Sequence, residues 1–319
     1  MSDTTPDDLQ AVTVTPATPP DVARLLPLGK LAELWAAEAE AARASLVSGT
    51  PRGPVTSFPT LDRELGGYLR PGLHFVHGEP GTGKTNYGLQ VAASCGCPAL
   101  FVSCEMSALA LLRRIVARVT GTFQGHLEGG ELTPAASLEL FARAVDACPM
   151  LALVDATRAH VEAWQLGDSE PPGIRELATY WREQHAASSV LVVVDSLHVW
   201  GAASPRAVGA TEYEYVNAAV ADLQRLAAEL AAPVLVVAER NRGAMGNDGQ
   251  SSAKGSARIE YSAESIVSLN RELDAAGEWK HDAAGEYHLF AKLAKNRAGR
   301  TGPKVAMRFQ GALASLHEA

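Results

Sequence analysis

Short runs of consecutive apolar residues recur along the chain from about residue 56 onward, and they predict a largely parallel β-sheet. Longer stretches between them carry apolar residues at three- to four-residue spacing, as at 108–119 and 212–230, and predict helices. A strand that is apolar at every position is buried on both faces, which is typical of a parallel sheet covered by helices. The apolar runs are LHFVH (73–77), PALFVS (98–103), MLALVD (150–155), SVLVVVD (189–195) and APVLVVA (232–238).

The pattern differs toward the two ends of the chain. After residue 260, the runs SIVSLN, YHLFAKLAK and KVAMRFQ are separated by turn residues and predict a meander that extends the sheet. Before residue 56, apolar positions on one face predict a helix over 28–47, with Pro27 near its start and Gly49 past its end. Residues 1–26 are rich in Thr, Pro and Asp without periodicity, which predicts a disordered tail.

These patterns divide the chain into a tail over 1–26, a linker helix with its connector over 27–55, and one α/β domain over 56–319. An amphipathic helix outside the main domain must bury its apolar face. Packing on its own domain and docking on a neighbouring subunit both meet that requirement. We take docking on the neighbouring subunit as the hypothesis.

Composition narrows the class of protein. The chain has 319 residues, 47% of them hydrophobic and 20% charged, which is normal for a protein with a buried core. No apolar run reaches the ~18 residues of a membrane span, and the acidic start MSDTTPDDLQ does not resemble a signal peptide. With only four cysteines, the sequence predicts a cytoplasmic protein without a membrane partner. The net charge of −8 argues against a surface that binds nucleic acid all over.

One motif carries most of the chemical information. The segment GEPGTGKT (78–85) matches G-x-x-x-x-G-K-[ST], follows an apolar strand and opens a helix. Glycines let backbone N–H groups turn toward phosphate oxygens, and the helix N-terminus adds partial positive charge. We expect Lys84 to reach the β- and γ-phosphates of ATP, and the Thr85 hydroxyl to bind Mg²⁺. The predicted nucleotide-binding residues are Gly78, Glu79, Pro80, Gly81, Thr82, Gly83, Lys84, Thr85 and Asn86.

Two acidic residues stand at the ends of apolar runs. Asp195 ends SVLVVVD, where a carboxylate can hold Mg²⁺ through water, and the alternative role is a helix N-cap. Glu105 follows PALFVS, where a carboxylate can orient the water that attacks the γ-phosphate. The alternative for Glu105 is a surface position at the start of the next helix, and spacing alone does not choose between the two.

Six segments carry further motifs: 61–85 (LDRELGGYLRPGLHFVHGEPGTGKT), 103–115 (SCEMSALALLRRI), 190–200 (VLVVVDSLHVW), 233–242 (PVLVVAERNR), 255–272 (GSARIEYSAESIVSLNRE) and 293–302 (LAKNRAGRTG). Together they resemble the motor domain of DnaB-type hexameric replicative helicases, a family of RecA-like ATPases. The P-loop is common to many nucleotide hydrolases, whereas the combination of SCEM, VVVDS and AKNRAGRTG resembles the RecA-like oligomeric motors in particular. The resemblance covers about residues 28–310.

This resemblance implies a fold and an activity. It implies an α/β protein with a RecA-like P-loop NTPase core, a mostly parallel sheet flanked by helices, that forms a hexameric ring and hydrolyses ATP with Mg²⁺. It implies translocation on single-stranded DNA and unwinding of duplex DNA in replication, with a replication initiator or a primase as further partners. In the family, the glutamate of the S-x-E-M segment activates water, which here is Glu105, and Asp195 corresponds to the Mg²⁺-associated aspartate.

Lys295 and Arg297 lie in the segment that resembles the family's Lys-x-Arg-x-Gly motif. Two residues apart on a strand, they face the same side. Such a pair of cations can reach phosphates held by an adjacent subunit, as an arginine finger supplied in trans. The alternative is a solvated basic strand end. With Lys84 and Glu105, they complete the predicted catalytic set.

Glu239 departs from the helicase pattern. The family usually has a phosphate-sensing glutamine at this place, and a γ-phosphate repels a carboxylate unless the latter is protonated or paired with Arg240 or a metal. The triplet AER (238–240) is similar to the T-x-E-R stretch of KaiC-type ATPases. The alternative function is therefore a RecA-like regulatory or recombination ATPase, KaiC- or RadA-like, without helicase activity.

Two loops are candidates for contact with DNA. In RecA-like motors, the loops after the aspartate strand and after the sensor strand line the central channel, and here these are about 201–211 and 242–258. The second loop is polar and rich in Gly and Ser, so it can follow a phosphate backbone without reading bases, and the alternative is a surface loop without a ligand. The candidate DNA-binding residues are Arg206, Arg242, Lys254 and Arg258.

Overall fold

The structure, a computed structural model, describes the chain as two compact units, Met1–Thr50 and Pro51–Ala319. The residues that it describes are 26–157, 173–204, 207–239 and 256–319. The disordered tail predicted for residues 1–26 therefore lies outside the described residues, apart from Leu26.

In the smaller unit, a 3-10 turn over Leu28–Leu31 leads into helix α1, Ala32–Ser48. The helix ends where Gly49 adopts a φ of 70°, a left-handed conformation that glycine reaches at low steric cost. The helix predicted over 28–47 is confirmed, with its first turn in the tighter 3-10 form. Docking of this helix on a neighbouring subunit stays a prediction.

One sheet organises the larger unit. All five predicted runs form strands, and the three runs after residue 260 form strands as well. A short further strand near the C-terminus was not predicted. The strands are β1 Gly72–Gly78, β2 Ala99–Ser103, β3 Leu151–Asp155, β4 Leu191–Asp195, β5 Pro233–Glu239, β6 Ala263–Arg271, β7 Tyr287–Asn296, β8 Lys304–Gln310 and β9 Ser315–Glu318.

The strands follow the order β3-β2-β4-β5-β1-β6-β7-β8-β9 across the sheet. From β3 to β6 every neighbouring pair is parallel, whereas β7, β8 and β9 join as an antiparallel meander. The predicted α/β class with a mostly parallel sheet and a C-terminal meander is confirmed.

Helices cover both faces of the parallel strands. The helices predicted over 108–119 and 212–230 are present, and the second begins with a capping box between Thr211 and Glu214. In the part of the chain that the structure describes, no helix is long and apolar enough to cross a membrane. The helices of the larger unit are α2 Pro59–Glu64, α3 Lys84–Ser94, α4 Ala108–Thr120, α5 Gln124–Glu128, α6 Pro134–Ala147, α7 Ile174–Gln184, α8 Leu197–Ala202, α9 Glu212–Leu230 and α10 Ser256–Ser262.

The non-alternating apolar runs are explained by two separate cores. Along β4, Val193 packs in a cluster with α3 and α4, whereas Val192 and Val194 pack in a second cluster with α7, α8 and α9. Successive side chains of a strand point to opposite faces, so both sets of positions must be apolar when both faces are covered. These cores hold the strand ends in fixed positions.

Strand direction gives the sheet two functionally different edges. The parallel strands β1, β2, β4 and β5 end together at one edge, which we call the carboxyl edge. Strand β7 runs the opposite way, and its end pairs with the beginning of β6, where Asn296 lies opposite Ser265. We call this opposite edge, where β1 and β6 begin and β7 ends, the amino edge.

A buried histidine at the amino edge makes the stability of the fold depend on pH. The His74 ring lies 2.8 Å from both the Arg70 carbonyl, at Nε2, and the Ser265 hydroxyl, at Nδ1. Because a carbonyl only accepts, Nε2–H donates to Arg70, and Nδ1 accepts from Ser265. Burial lowers the pKa of His74 to about 4. The folded chain therefore holds this ring neutral while the unfolded chain protonates it below pH ~6.5.

We predict that His74 costs the fold stability as the pH falls from about 6.5 to about 4, by up to about 1.4 kcal/mol per pH unit. The reason is that only the unfolded state takes up this proton in that window. Urea unfolding of the wild type and of His74→Gln at several pH values tests the effect. The substituted protein should lose less stability on acidification, and parallel losses in the two proteins would contradict the assignment.

Candidate phosphate-binding site

The P-loop predicted over 78–85 connects β1 to α3 at the carboxyl edge. Gly81 and Gly83 adopt φ values of 82° and 83°, the left-handed conformation that turns backbone N–H groups inward. The buried Thr82 hydroxyl donates to the Glu79 carbonyl over 2.8 Å and closes the loop on itself. The loop therefore has the shape of an anion cradle that ends at the N-terminus of a helix.

Close approach restricts two of the glycines, Gly78 by close approach alone and Gly83 in addition to its left-handed conformation. A Cβ atom on Gly78 would lie 2.6 Å from the Leu269 carbonyl oxygen and 2.7 Å from the Thr82 hydroxyl. A Cβ atom on Gly83 would lie 3.1 Å from the Phe309 ring. Strands β6 and β8 thus press on the loop from the side of the meander, a contact that the motif alone does not reveal.

Lys84 is the cation of the site. Its ammonium donates to the carbonyls of Gly78 and Glu79, over 3.0 and 3.1 Å. Burial lowers the pKa of Lys84, and the carboxylates of Glu239, Asp195 and Glu105 act in the opposite direction. These three acids therefore lie close enough to Lys84 to stabilise its charge.

Asp195 and Glu105 come from neighbouring parallel strands. Ser103 of β2 lies opposite Asp195 of β4, and the Cys104 amide donates to the Asp195 carbonyl over 2.7 Å. The Ser196 hydroxyl donates to the Glu105 carboxylate. Glu105 is exposed but is tied by this hydrogen bond to the residue that follows Asp195, and its role in orienting water stays a prediction.

Asp195 has the surroundings of a metal-associated acid. Asp195 is 2% exposed, and its carboxylate accepts a hydrogen bond from the Thr85 hydroxyl. Its Oδ2 atom has no hydrogen-bond partner among the described residues. Burial raises the pKa of Asp195 to about 6, and the nearby Glu105 charge adds to the rise. A buried carboxylate with an unsatisfied oxygen beside a threonine hydroxyl suits Mg²⁺, which prefers oxygen ligands and bound water.

Three residues around the loop were not singled out from the sequence. The Arg114 guanidinium on α4 donates to the Asn86 side chain over 2.6 Å, which joins α4 to the first turn of α3. The Arg271 guanidinium donates to the Pro80 carbonyl over 2.5 Å and stacks over the Trp279 ring at 4.7 Å. Arg114 and Arg271 lie within the segments 103–115 and 255–272 that carried the family resemblance, so their positions were available as signals, whereas Trp279 follows β6 outside those segments.

Glu239 lies at the end of β5, beside the end of β1, and its side chain is exposed. Its charge acts on Lys84, as described above. The pairing with Arg240 that the sequence suggested lies outside the described residues. The described part of the site therefore presents Glu239 as one of the acids around Lys84.

The predicted basic pair lies at the other edge of the sheet. Lys295 is opposite Ile266 on β6, and the Arg297 amide donates to the Glu264 carbonyl over 2.9 Å. Glu264 follows the residue that lies opposite Leu73 of β1, whereas the P-loop begins five residues later, at Gly78. Arg297 therefore lies about five residues, roughly 16 Å, from the P-loop along the strand direction. Neither side chain therefore joins the Lys84 site of its own subunit.

The candidate DNA-binding residues fall mostly in parts of the chain for which no placement is described. Arg206, Arg242 and Lys254 lie outside the described residues. Arg258 lies on α10, and its side chain is exposed. Contact with DNA at these positions stays a prediction.

A P-loop between β1 and α3, with acids after β2 and at the end of β4 of a parallel sheet, defines a RecA-like nucleotide-binding domain. Residues 53–318 match the family model of the DnaB-like helicase C terminal domain. The chain belongs to this family, as the sequence resemblance implied.

Two curated relatives agree with this assignment. The chain is 27% identical over 263 residues to the replicative DNA helicase DnaB of Treponema pallidum (strain Nichols), which covers 81% of this chain and 54% of that protein. It is 25% identical over 190 residues to the replicative DNA helicase DnaB of Nostoc sp. (strain PCC 7120 / SAG 25.82 / UTEX 2576), covering 58% of this chain and 20% of that protein. The chain thus spans about half the length of the first relative and a fifth of the second.

Solved structures show the same fold. One of them, an isolated ATPase domain, superposes with a TM-score of 0.72 at 18% identity, over 91% of this chain and 99% of that chain. A DnaB-like replicative helicase, from a structure that also treats its interactions with primase, superposes with a TM-score of 0.68 at 18% identity, over 89% of this chain and 66% of that one. The RecA-like ATPase fold is therefore confirmed.

We predict that the affinity for Mg²⁺ in the presence of nucleotide falls about tenfold per pH unit below about pH 6. If Asp195 holds the metal as the sequence predicts, its carboxylate must be ionised, and its raised pKa means that protons compete in this range. Mg²⁺ titrations of nucleotide binding at pH 7.5, 6.5 and 5.5 measure the effect. Asp195→Asn serves as the control for titration of the nucleotide itself, and an equal pH dependence in both proteins would contradict the assignment.

Proposed function

We propose that this domain is the ATP-hydrolysing motor of a hexameric ring that translocates on single-stranded DNA and unwinds duplex DNA in replication. One observation carries the proposal: the cations Lys295 and Arg297 lie at the amino edge, while Lys84, Glu105 and Asp195 lie at the carboxyl edge. A head-to-tail ring in which the amino edge of one subunit faces the carboxyl edge of the next would bring the two sets together.

The residues of the carboxyl edge have distinct roles in this proposal. ATP binds with its phosphates in the loop 78–86, and Lys84 leaves the Gly78 and Glu79 carbonyls to contact the β- and γ-phosphates. Thr85 and Asp195 hold Mg²⁺, which when bound neutralises charge on the phosphate oxygens. Glu105, fixed by Ser196, orients the attacking water.

The residues of the amino edge act on the next subunit. Lys295 and Arg297 stabilise charge on the transferring phosphoryl group in trans, so an isolated subunit has an incomplete site. Helix α1 docks its apolar face on a neighbouring subunit and helps to close the ring. The solved DnaB-like helicase that interacts with primase supports a primase as a further partner, and a replication initiator is the other partner that the family resemblance implies.

The segments 201–211 and 242–258 line the channel of the ring and contact the DNA backbone through Arg206, Arg242, Lys254 and Arg258, the last of which lies in the first turn of α10. A channel of this kind is compatible with the net charge of −8, because only the loops that face the DNA need to be basic. A second candidate, a KaiC- or RadA-like regulatory or recombination ATPase, is favoured by one observation, the carboxylate of Glu239 near Lys84.

We predict that Lys84→Ala and Arg297→Ala each abolish ATP turnover, and that only the first abolishes nucleotide binding. Mixing the two variants in equal amounts should restore activity, because roughly a quarter of the interfaces then combine an intact loop with an intact finger. Steady-state ATP hydrolysis of the single and mixed proteins measures this. A mixture as inactive as its components would contradict the trans arrangement.

We predict that single-stranded DNA stimulates ATP hydrolysis, that its binding weakens with salt, and that a forked duplex is unwound. Arg258→Ala should weaken DNA binding and lower the salt slope by about one, since it removes one phosphate contact. Arg143→Ala, an exposed arginine on α6, is the matched control and should bind normally. ATP hydrolysis that is indifferent to DNA would instead support the regulatory ATPase.

A further inference from the structure

The cation at the tip of the amino edge is held by a dedicated acid. The Arg297 guanidinium donates to the Glu264 carboxylate over 3.0 Å and to the Tyr261 carbonyl over 2.5 Å. The Arg297 amide also donates to the Glu264 carbonyl. Backbone and side chain of one residue are thus both tied to the junction of α10 and β6.

The neighbouring cation is tied to the last turn of α10. The Lys295 ammonium donates to the carbonyl of Glu260 and contacts that of Tyr261 at 3.5 Å. Tyr261 is therefore a shared acceptor, which places the two cations side by side. The Glu264 carboxylate is bonded to Arg297, and its negative charge, together with that of Glu260, acts on Lys295 against the repulsion from Arg297.

The beginning of β1 is shaped to admit this carboxylate. Gly72 adopts a φ of 132°, and a Cβ atom there would lie 2.6 Å from Cγ of Glu264. Any side chain at residue 72 would therefore displace the Glu264 side chain from its path to Arg297. Gly72 belongs to the Pro-Gly turn before the P-loop, which the proposed nucleotide chemistry does not use.

The arrangement leaves Arg297 free to reach outward. Its side chain is 51% exposed, and the bonds described above occupy two of the five N–H donors of a guanidinium. A guanidinium fixed on one side and exposed on the other loses little conformational freedom when it meets a phosphate. The contact with Glu264 is therefore suited to align the Arg297 guanidinium toward the phosphates of the next subunit.

We propose that Glu264 is a positioning residue for the trans-acting Arg297, and that Gly72 is required because it admits the Glu264 side chain. This inference rests on the proposed trans arrangement. Glu264 aims Arg297 at the phosphates of the next subunit and does not itself touch the nucleotide.

Kinetic measurements on the assembled protein test the proposal first. Glu264→Ala should lower kcat for ATP by about 10- to 100-fold while KM changes less than about threefold, since misplacing one charged group affects the transition state more than binding. Glu264→Gln keeps an acceptor for Arg297 and should recover part of the loss. A kcat at or above the wild-type value in Glu264→Ala would overturn the proposal, because the ion pair between Glu264 and Arg297 would then hold the finger back from the nucleotide.

Gly67, in the segment that connects α2 to β1, provides a matched control for a substitution of Gly72. Gly67 adopts a φ of 97°, and a Cβ atom there would meet nothing within 4 Å, so Gly67→Ala introduces backbone strain without touching Glu264. Gly72→Ala should reproduce the kcat defect of Glu264→Ala, and Gly67→Ala should retain turnover. Equal turnover in Gly72→Ala and Gly67→Ala would overturn the role of Gly72.

Mixing separates positioning from a general structural defect. The Glu264→Ala variant has an intact P-loop, and Lys84→Ala has an intact finger, so mixing these two should restore turnover. Mixing Glu264→Ala with Arg297→Ala should not restore it, because both variants lack a working finger. Failure with Lys84→Ala, or rescue by Arg297→Ala, would overturn the proposal. Mixing Lys84→Ala with Arg297→Ala tests the trans arrangement alone, so failure of the proposed function is distinguished from failure of this inference.

Discussion

Strand direction is the constraint on which the rest of this structure depends. Parallel β1, β2, β4 and β5 end at one edge, and this alone brings the P-loop and the acids Glu105 and Asp195 together. The reversal at β7 carries Lys295 and Arg297 to the other edge, too far along the strands to serve the same site. The proposed need for a second subunit is thus a consequence of how the sheet is threaded.

Electrostatics at the carboxyl edge prepare the site for a charged ligand. Burial lowers the pKa of Lys84 and raises that of Asp195, so each group is held away from water at some cost and stabilised by the other. The P-loop carbonyls accept from the Lys84 ammonium, and one Asp195 oxygen has no partner among the described residues. A phosphate polyanion would accept from the Lys84 ammonium, and its bound metal would occupy that Asp195 oxygen. This edge of the sheet therefore fits a nucleotide with its metal ion.

The sequence was most informative where local pattern and chemistry coincide. The buried strands, the P-loop and Asp195 could be predicted because apolar runs, glycines and a terminal acid are all local signals. Glu105 could be singled out from its place after β2, the choice between its two roles needed the family resemblance, and only the fold shows its bond to Ser196. The bonds from Arg271 to Pro80 and from Glu264 to Arg297 join residues far apart in the chain, and no spacing rule indicates them.

The central claim is that each active site is built from two subunits. Turnover per subunit, measured over a range of protein concentrations alongside sedimentation, tests it most directly. We expect the monomer to bind nucleotide without turning it over, and turnover per subunit to rise in step with assembly. A monomer that hydrolyses ATP at the rate of the assembled protein would contradict the claim.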